Sequence, residues 1–191
     1  MSLSGSALLP GRNIVLVGLM GAGKTTVGRL LAERLARPFV DTDALVEAEA
    51  GRPVSEIFAT EGERGFRQRE AAAVRRVAAL RGQVLAVGGG AVLDPANVTH
   101  LRGTGDLVLL DAPAGTLAER VGDAAGRPLL TGAEPVADRL AELRSERDAA
   151  YRAAAEHAVD TAGRTPEQIT EDVLAWARTR PGLLTRPERS E

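Results

Sequence analysis

The chain contains no cysteine, one tryptophan, one tyrosine and a single lysine. Without cysteine there is no disulfide, no thiolate metal site and no cysteine nucleophile, a profile that fits a reducing cytoplasm. Aromatic residues are only 3% of the whole, so stacking of a nucleobase on an aromatic ring is not expected. No stretch approaches the roughly 20 consecutive apolar residues of a membrane span. Residues 1–11 lack the basic lead and apolar run of a signal peptide. Neither sign of charge dominates: the net charge is −2, which gives no electrostatic case for nucleic acid or a membrane surface as partner. What remains is 191 residues, 44% hydrophobic and 26% charged, the size and balance of one globular domain.

The single lysine marks the centre of the chain. All other basic residues are arginine, and Lys24 stands in Gly18-Leu19-Met20-Gly21-Ala22-Gly23-Lys24-Thr25, which fits G-x-x-x-x-G-K-[ST]. An apolar run, residues 14–17, precedes the motif, and a helical pattern through Val27, Leu30, Leu31 and Leu35 follows. Strand, glycine loop and helix are the context a phosphate-binding loop requires. Glycines 18, 21 and 23 let the backbone turn its N–H groups onto phosphate oxygens, and the helix adds the positive end of its dipole. The backbone of Gly21, Ala22, Gly23, Lys24, Thr25 and Thr26 would cradle a nucleotide. Lys24 would reach the β- and γ-phosphates, and the Thr25 hydroxyl would sit on Mg²⁺.

Further along, strands alternate with helices. Residues 13–17, 39–41, 83–87, 106–111 and 157–160 read as strands. Helices are expected at 23–36, 44–50, 54–58, from about 62 to 80, from Pro95, at 113–121, 136–154 and 165–178. This alternation gives an α/β three-layer fold with a mainly parallel sheet. Residues 1–11 are expected to be a disordered lead, 12–179 a single domain, and 180–191 a polar, frayed tail.

Asp41-Thr42-Asp43 closes the second strand. In an extended strand positions 41 and 43 point the same way, at the sheet end where open α/β folds bind ligands. One carboxylate could hold Mg²⁺; the other could accept a hydrogen bond from a substrate hydroxyl and take its proton. Taken alone the segment also reads as a solvated turn with an N-cap aspartate. Arg67 and Glu70 share a helix face and can pair, or simply open a solvated charged helix. Gly88-Gly89-Gly90 after a strand allows close approach of a ligand or another backbone. Residues 122–132, bracketed by glycines, suit a mobile lid. His100 and His157 read as structural, and Trp176 as core on an apolar helix face.

Taken together these motifs resemble the shikimate kinase family. The resemblance spans roughly residues 13–178, through GLMGAGKTT, Asp41-Thr42-Asp43, Phe66-Arg67-x-x-Glu70, the three glycines, Arg127-Pro128-Leu129-Leu130 and Arg147-x-x-x-Tyr151. It implies ATP-dependent phosphorylation of the 3-hydroxyl of shikimate, a step toward chorismate and the aromatic amino acids. It implies a P-loop fold with a five-stranded parallel sheet in order 2-3-1-4-5, a substrate-binding segment near residues 41–70 and a lid near 122–132. Carried over by motif, Asp43 would hold shikimate hydroxyls, and Asp41 would support Mg²⁺ with Thr25. Arg67 and Arg147 would clamp the substrate carboxylate, and Glu70 would orient Arg67. Gly88, Gly89 and Gly90 would line the shikimate site. Arg127 would reach the transferring phosphate, and Arg120 and Arg164 would border the adenine. Lys24, Asp43 and Arg127 are the expected catalytic residues. ATP and shikimate are the expected partners of a monomer. The alternatives are a gluconate-type or nucleoside monophosphate kinase, or a nucleotide-binding regulator without catalysis.

Overall fold

The computed structural model describes residues 11–122, 126–130, 132 and 134–189. Five parallel strands form one sheet in the order β2-β3-β1-β4-β5. They are β1 (Asn13–Val17), β2 (Phe39–Asp41), β3 (Val84–Ala86), β4 (Gly105–Asp111) and β5 (His157–Asp160). The register puts Leu16 beside Ala86 on one flank and Val108 on the other. β1 is buried at all of its positions, because helices cover both faces of the sheet and such strands read as unbroken apolar runs. This is the expected three-layer α/β/α architecture, including the strand order that the resemblance implied.

Among the described residues seven α-helices connect and cover the strands: α1 (Lys24–Arg34), α2 (Thr42–Ala50), α3 (Val54–Ala78), α4 (Pro95–Thr104), α5 (Ala114–Val121), α6 (Val136–Ala154) and α7 (Pro166–Thr179). α7 opens with the capping box its sequence contains: Thr165 Oγ1 accepts from Gln168 N–H, and Gln168 Oε1 accepts from Thr165 N–H. α3 joins the two helices expected near 54–58 and 62–80. Their break is Gly62, whose φ of 70° and ψ of 178° lie outside helical space, where glycine is tolerated best. A small second core, Val46, Ile57, Phe66 and Ala73, sits under α2 and α3 and is separate from the main one. Among the described residues no helix is long and apolar enough to cross a membrane. Trp176 is partly buried against the main core and stacks on His157, with ring centroids 5.0 Å apart; His100 is exposed.

Two expectations about local structure change. Asp43 is not on a strand: Asp41 ends β2, and α2 begins at Thr42. Asp41 is the N-cap, its Oδ1 accepting from Asp43 N–H at 3.1 Å. The two carboxylates are therefore brought together by a helix cap rather than by the pleat. The tail also differs, for residues 180–189 pack against the domain; residues 190 and 191, like 1–10, lie outside the described residues. Leu183 and Leu184 are buried in the main core. Arg37, whose side chain is 3% exposed, donates to Leu183 O at 2.8 Å and to both carboxylate oxygens of Glu188, at 2.7 and 2.9 Å. The polarity of the tail hid two leucines and one buried ion pair.

Burial works against ionisation of Glu188, but hydrogen bonds from Arg37 and Thr185 outweigh it and hold the carboxyl down at about 2. A depressed carboxyl stabilises the fold above its unfolded value and loses that contribution as pH falls toward 2. Glu188→Ala is expected to cost about 2 kcal/mol at neutral pH, because Arg37 keeps its backbone acceptors but loses its anion. That is a fall in Tm of about 4–8 °C, measurable by thermal unfolding. The wild-type advantage should shrink on acidification below the ordinary glutamate range.

Candidate active site

The C-terminal ends of the strands open into one cleft of about 660 Å³, within the usual size of a small-ligand site. Its donor wall is the loop between β1 and α1. Gly23, at φ 95° and ψ 10°, is the left-handed N-cap of α1 and offers no side chain to satisfy the first-turn N–H groups. Those donors are left for an anion, as an N-terminal phosphate site requires. Gly21, Ala22, Gly23, Lys24, Thr25 and Thr26 all line the cleft. Lys24 is folded back on the loop, its Nζ donating to Gly18 O at 2.8 Å and Leu19 O at 3.1 Å. Burial lowers the Lys24 pKa, and the nearby Asp43 and Asp41 carboxylates oppose that shift. Thr25 Oγ1 donates to Asp41 Oδ2 at 2.8 Å, so the two expected metal-binding oxygens do meet.

The acceptor wall comes from α2, α3, α6 and the turn after β3. Asp43 projects from the first turn of α2, and its Oδ1 is buried with no hydrogen-bond partner. Glu70 Oε1 is in the same condition. Both oxygens press on Gly88, where a Cβ would collide with each. Burial pushes the Asp43 carboxyl up to about 6; Lys24 counters this, and Asp41 and Glu70 add to it. Burial likewise raises Glu70, with Arg67 opposing. Arg67 Nη1 donates to Glu70 Oε2 at 2.8 Å and Nη2 to Glu63 Oε1 at 3.0 Å. Burial disfavours its charge, but these carboxylates outweigh that and raise its pKa. The Arg67 guanidinium lies so close to Gly90 that any side chain there would strike it. From α6, Arg147 is 5% exposed and donates to Gly89 O at 3.3 Å.

At the other end of the cleft stand Arg120 and Arg164, with Pro166 and Ile169. Neither arginine is free: Arg120 donates to Thr161 Oγ1 at 2.8 Å and Thr161 O at 2.6 Å, and Arg164 pairs with Asp172 at 2.7 Å. Among the described residues this end holds no aromatic ring, in keeping with the aromatic-poor composition. Arg127 also lines the cleft, with its Nη1 buried and without a hydrogen-bond partner. Of the lid expected at 122–132, residues 128–130 form a short 3-10 turn with Leu130 buried. Positions 123–125 and 131 lie outside the described residues.

The cleft thus gathers Lys24, Thr25, Asp41, Asp43, Arg67, Glu70, Gly89, Gly90, Arg120, Arg127, Arg147 and Arg164; Gly88 stands behind the two carboxylates. Sequence reasoning passed over Glu47 and Phe58, which also line it. Glu47 Oε1 accepts from Val54 N–H at 2.8 Å and so caps α3, whose N-cap is proline. Phe58 packs on Phe66 across the Gly62 break, with ring centroids 4.8 Å apart. Phenylalanine scarcity was the available signal: only three exist, and two stand eight residues apart around Gly62 and Gly65.

Cations and buried carboxylates face one another across a space large enough for a nucleotide tail and a small polar acid. A family model described as "Shikimate kinase" matches residues 20–178. A shikimate kinase of Symbiobacterium thermophilum is 53% identical over 164 residues, covering 85% of this chain and 94% of the relative. One from Thiobacillus denitrificans is 48% identical over 158 residues, covering 83% and 86%. Among solved structures, the shikimate kinase of Acinetobacter baumannii in complex with shikimate superposes with a TM-score of 0.83 at 38% identity, covering 86% of this chain and 92% of that one.

Proposed function

As the chain belongs to the shikimate kinase family, we propose that it transfers the γ-phosphoryl group of ATP to the 3-hydroxyl of shikimate. One observation carries this reading: the phosphate loop with Lys24 and the set Asp43, Arg67 and Arg147 line the same cleft. Shikimate is a ring with one carboxylate and three hydroxyls. Guanidinium forks suit the carboxylate, and Arg67 and Arg147 supply two. The unpartnered Asp43 Oδ1 suits a hydroxyl, which would fill its vacant acceptor role.

Phosphoryl transfer relies on positioning and on charge stabilisation. Lys24 neutralises charge on the β- and γ-phosphates. Arg127, with a donor unsatisfied in the cleft, meets the phosphoryl group in transit. The acceptor oxygen forms its bond to Pγ while the bond to the β-bridging oxygen breaks. The hydroxyl proton passes to Asp43, whose carboxyl near 6 is ionised at neutral pH yet basic enough to receive it. Glu70 holds Arg67 in place. Residues 126–129, Arg127 among them, line the cleft and would help keep water from replacing the acceptor.

Thr25 and Asp41 fit Mg²⁺. They present two hard oxygens 2.8 Å apart at the phosphate loop, and Mg²⁺ commonly takes few protein ligands, completing its shell with phosphates and water. Bound there, the ion would neutralise phosphate charge. A cytoplasmic monomer with ATP and shikimate as its ligands completes the reading.

A coupled ADP-release assay tests it across shikimate, gluconate and nucleoside monophosphates. Turnover is expected with shikimate alone. Turnover with gluconate and none with shikimate would overturn the assignment.

A further inference from the structure

Tyr151 has no part in the chemistry above, yet it is 4% exposed, and its hydroxyl donates to the carbonyl of Gly89, a residue of the cleft wall. The surrounding turn is almost fully paired. Gly88 N–H donates to Thr42 Oγ1 at 3.0 Å, Ala91 N–H to Gly88 O at 3.0 Å, and Leu93 N–H to Gly90 O at 3.0 Å. Gly89 O receives two side chains of α6, Tyr151 Oη and Arg147 Nη1. Among the described residues nothing accepts from the N–H of Gly90. That N–H belongs to the same planar unit as the Gly89 carbonyl. A trans peptide holds its C=O and N–H on opposite sides, and no cis bond occurs among the described residues.

We propose that Tyr151 is a positioning residue of the acceptor site: by drawing the Gly89 carbonyl toward α6 it aims the Gly90 N–H into the cleft, as a donor to an oxygen of the bound hydroxy acid. The proposal rests on the acceptor reading given above. In the ligand-free protein Arg147 shares the duty. Once Arg147 turns to a substrate carboxylate, Tyr151 is left as the donor that fixes this peptide. Burial pushes the Tyr151 hydroxyl up to about 12, so it stays a protonated donor throughout the working pH range.

The test is Tyr151→Phe, which keeps the ring in the core and removes only the oxygen. KM for shikimate is expected to rise about 3- to 10-fold, the worth of one hydrogen bond, with KM for ATP unchanged. A second measurement reads the peptide directly, through the amide ¹H–¹⁵N signal of Gly90. In the wild type shikimate should move it downfield; in the variant the displacement should be smaller at saturation. Equal losses for both substrates with a lowered Tm would mean a packing role and overturn the proposal. An unchanged KM with a wild-type Gly90 response would do the same. Absence of shikimate turnover in the wild type would instead sink the functional assignment, so the two failures are distinguishable.

Discussion

Asp43→Asn is expected to lower kcat for shikimate phosphorylation by about 10³-fold, the middle of the range for loss of a positioned general base. ATP binding should not weaken, since the change removes a negative charge beside Lys24 and leaves the phosphate loop intact. The same substitution should make the protein more stable at neutral pH. The Asp43 carboxyl stands near 6 in the fold against an ordinary 3.8, with burial as the leading cause. A carboxyl raised on folding binds more protons in the native than in the unfolded state between those two values. Stability therefore falls as pH rises through that window and stays at its lower level above it. Removing the charge should return about 3 kcal/mol above pH 6 and nothing below about 4. Steady-state rates and thermal unfolding across this pH span check both halves. In the wild type, turnover should decline on acidification below about 6, as the base becomes protonated. Near-normal turnover of the variant would remove Asp43 from the mechanism.

Lys24→Met should rank with it, lowering kcat/KM for ATP by about 10²–10³-fold, the cost of losing one preorganised donor to developing charge. Methionine keeps most of the stem's volume, so the buried site need not collapse. In the ligand-free protein Lys24 occupies itself with Gly18 O and Leu19 O, which hold the loop's curl in place of phosphate. The defect should therefore appear for ATP and largely spare the KM for shikimate. Rates measured with each substrate varied in turn separate the two. Equal damage to both would mean that the loop itself had lost its shape.

Much of this site could be read before the fold was seen, though not all for the right reason. The pairing of Asp41 with Asp43 was expected from strand alternation; it arises from an N-cap and the first turn of a helix. Both arrangements bring two carboxylates to the end of β2, so the chemistry survived the wrong geometry. Arg67 and Glu70 pair as their helical spacing allowed. Like Arg164, Arg120 was placed only by the resemblance, since an isolated arginine on a helix says little. Its anchor, Thr161, lies 41 residues away and becomes visible only when β5 lies beside β4. The leucines of the tail were misjudged for a similar reason: a short polar segment gives no sign that Arg37 will receive it.

The sequence by itself determined the phosphate loop and the alternation that builds the sheet. Both are local: an anion cradle uses consecutive backbone N–H groups and glycines in conformations other residues avoid, and strand or helix period shows within a few turns. Only the tertiary structure decided how Asp43 comes to be a base near neutrality and what the glycine turn after β3 leans on. Proton affinity there depends on removal from water and on four charges from three separate segments, none of them near neighbours except Asp41. The Gly89 carbonyl meets Tyr151 across 62 residues of chain. Burial and long-range contact are properties of the packed chain, so a motif can name the residues of such a site while the fold alone sets their chemistry.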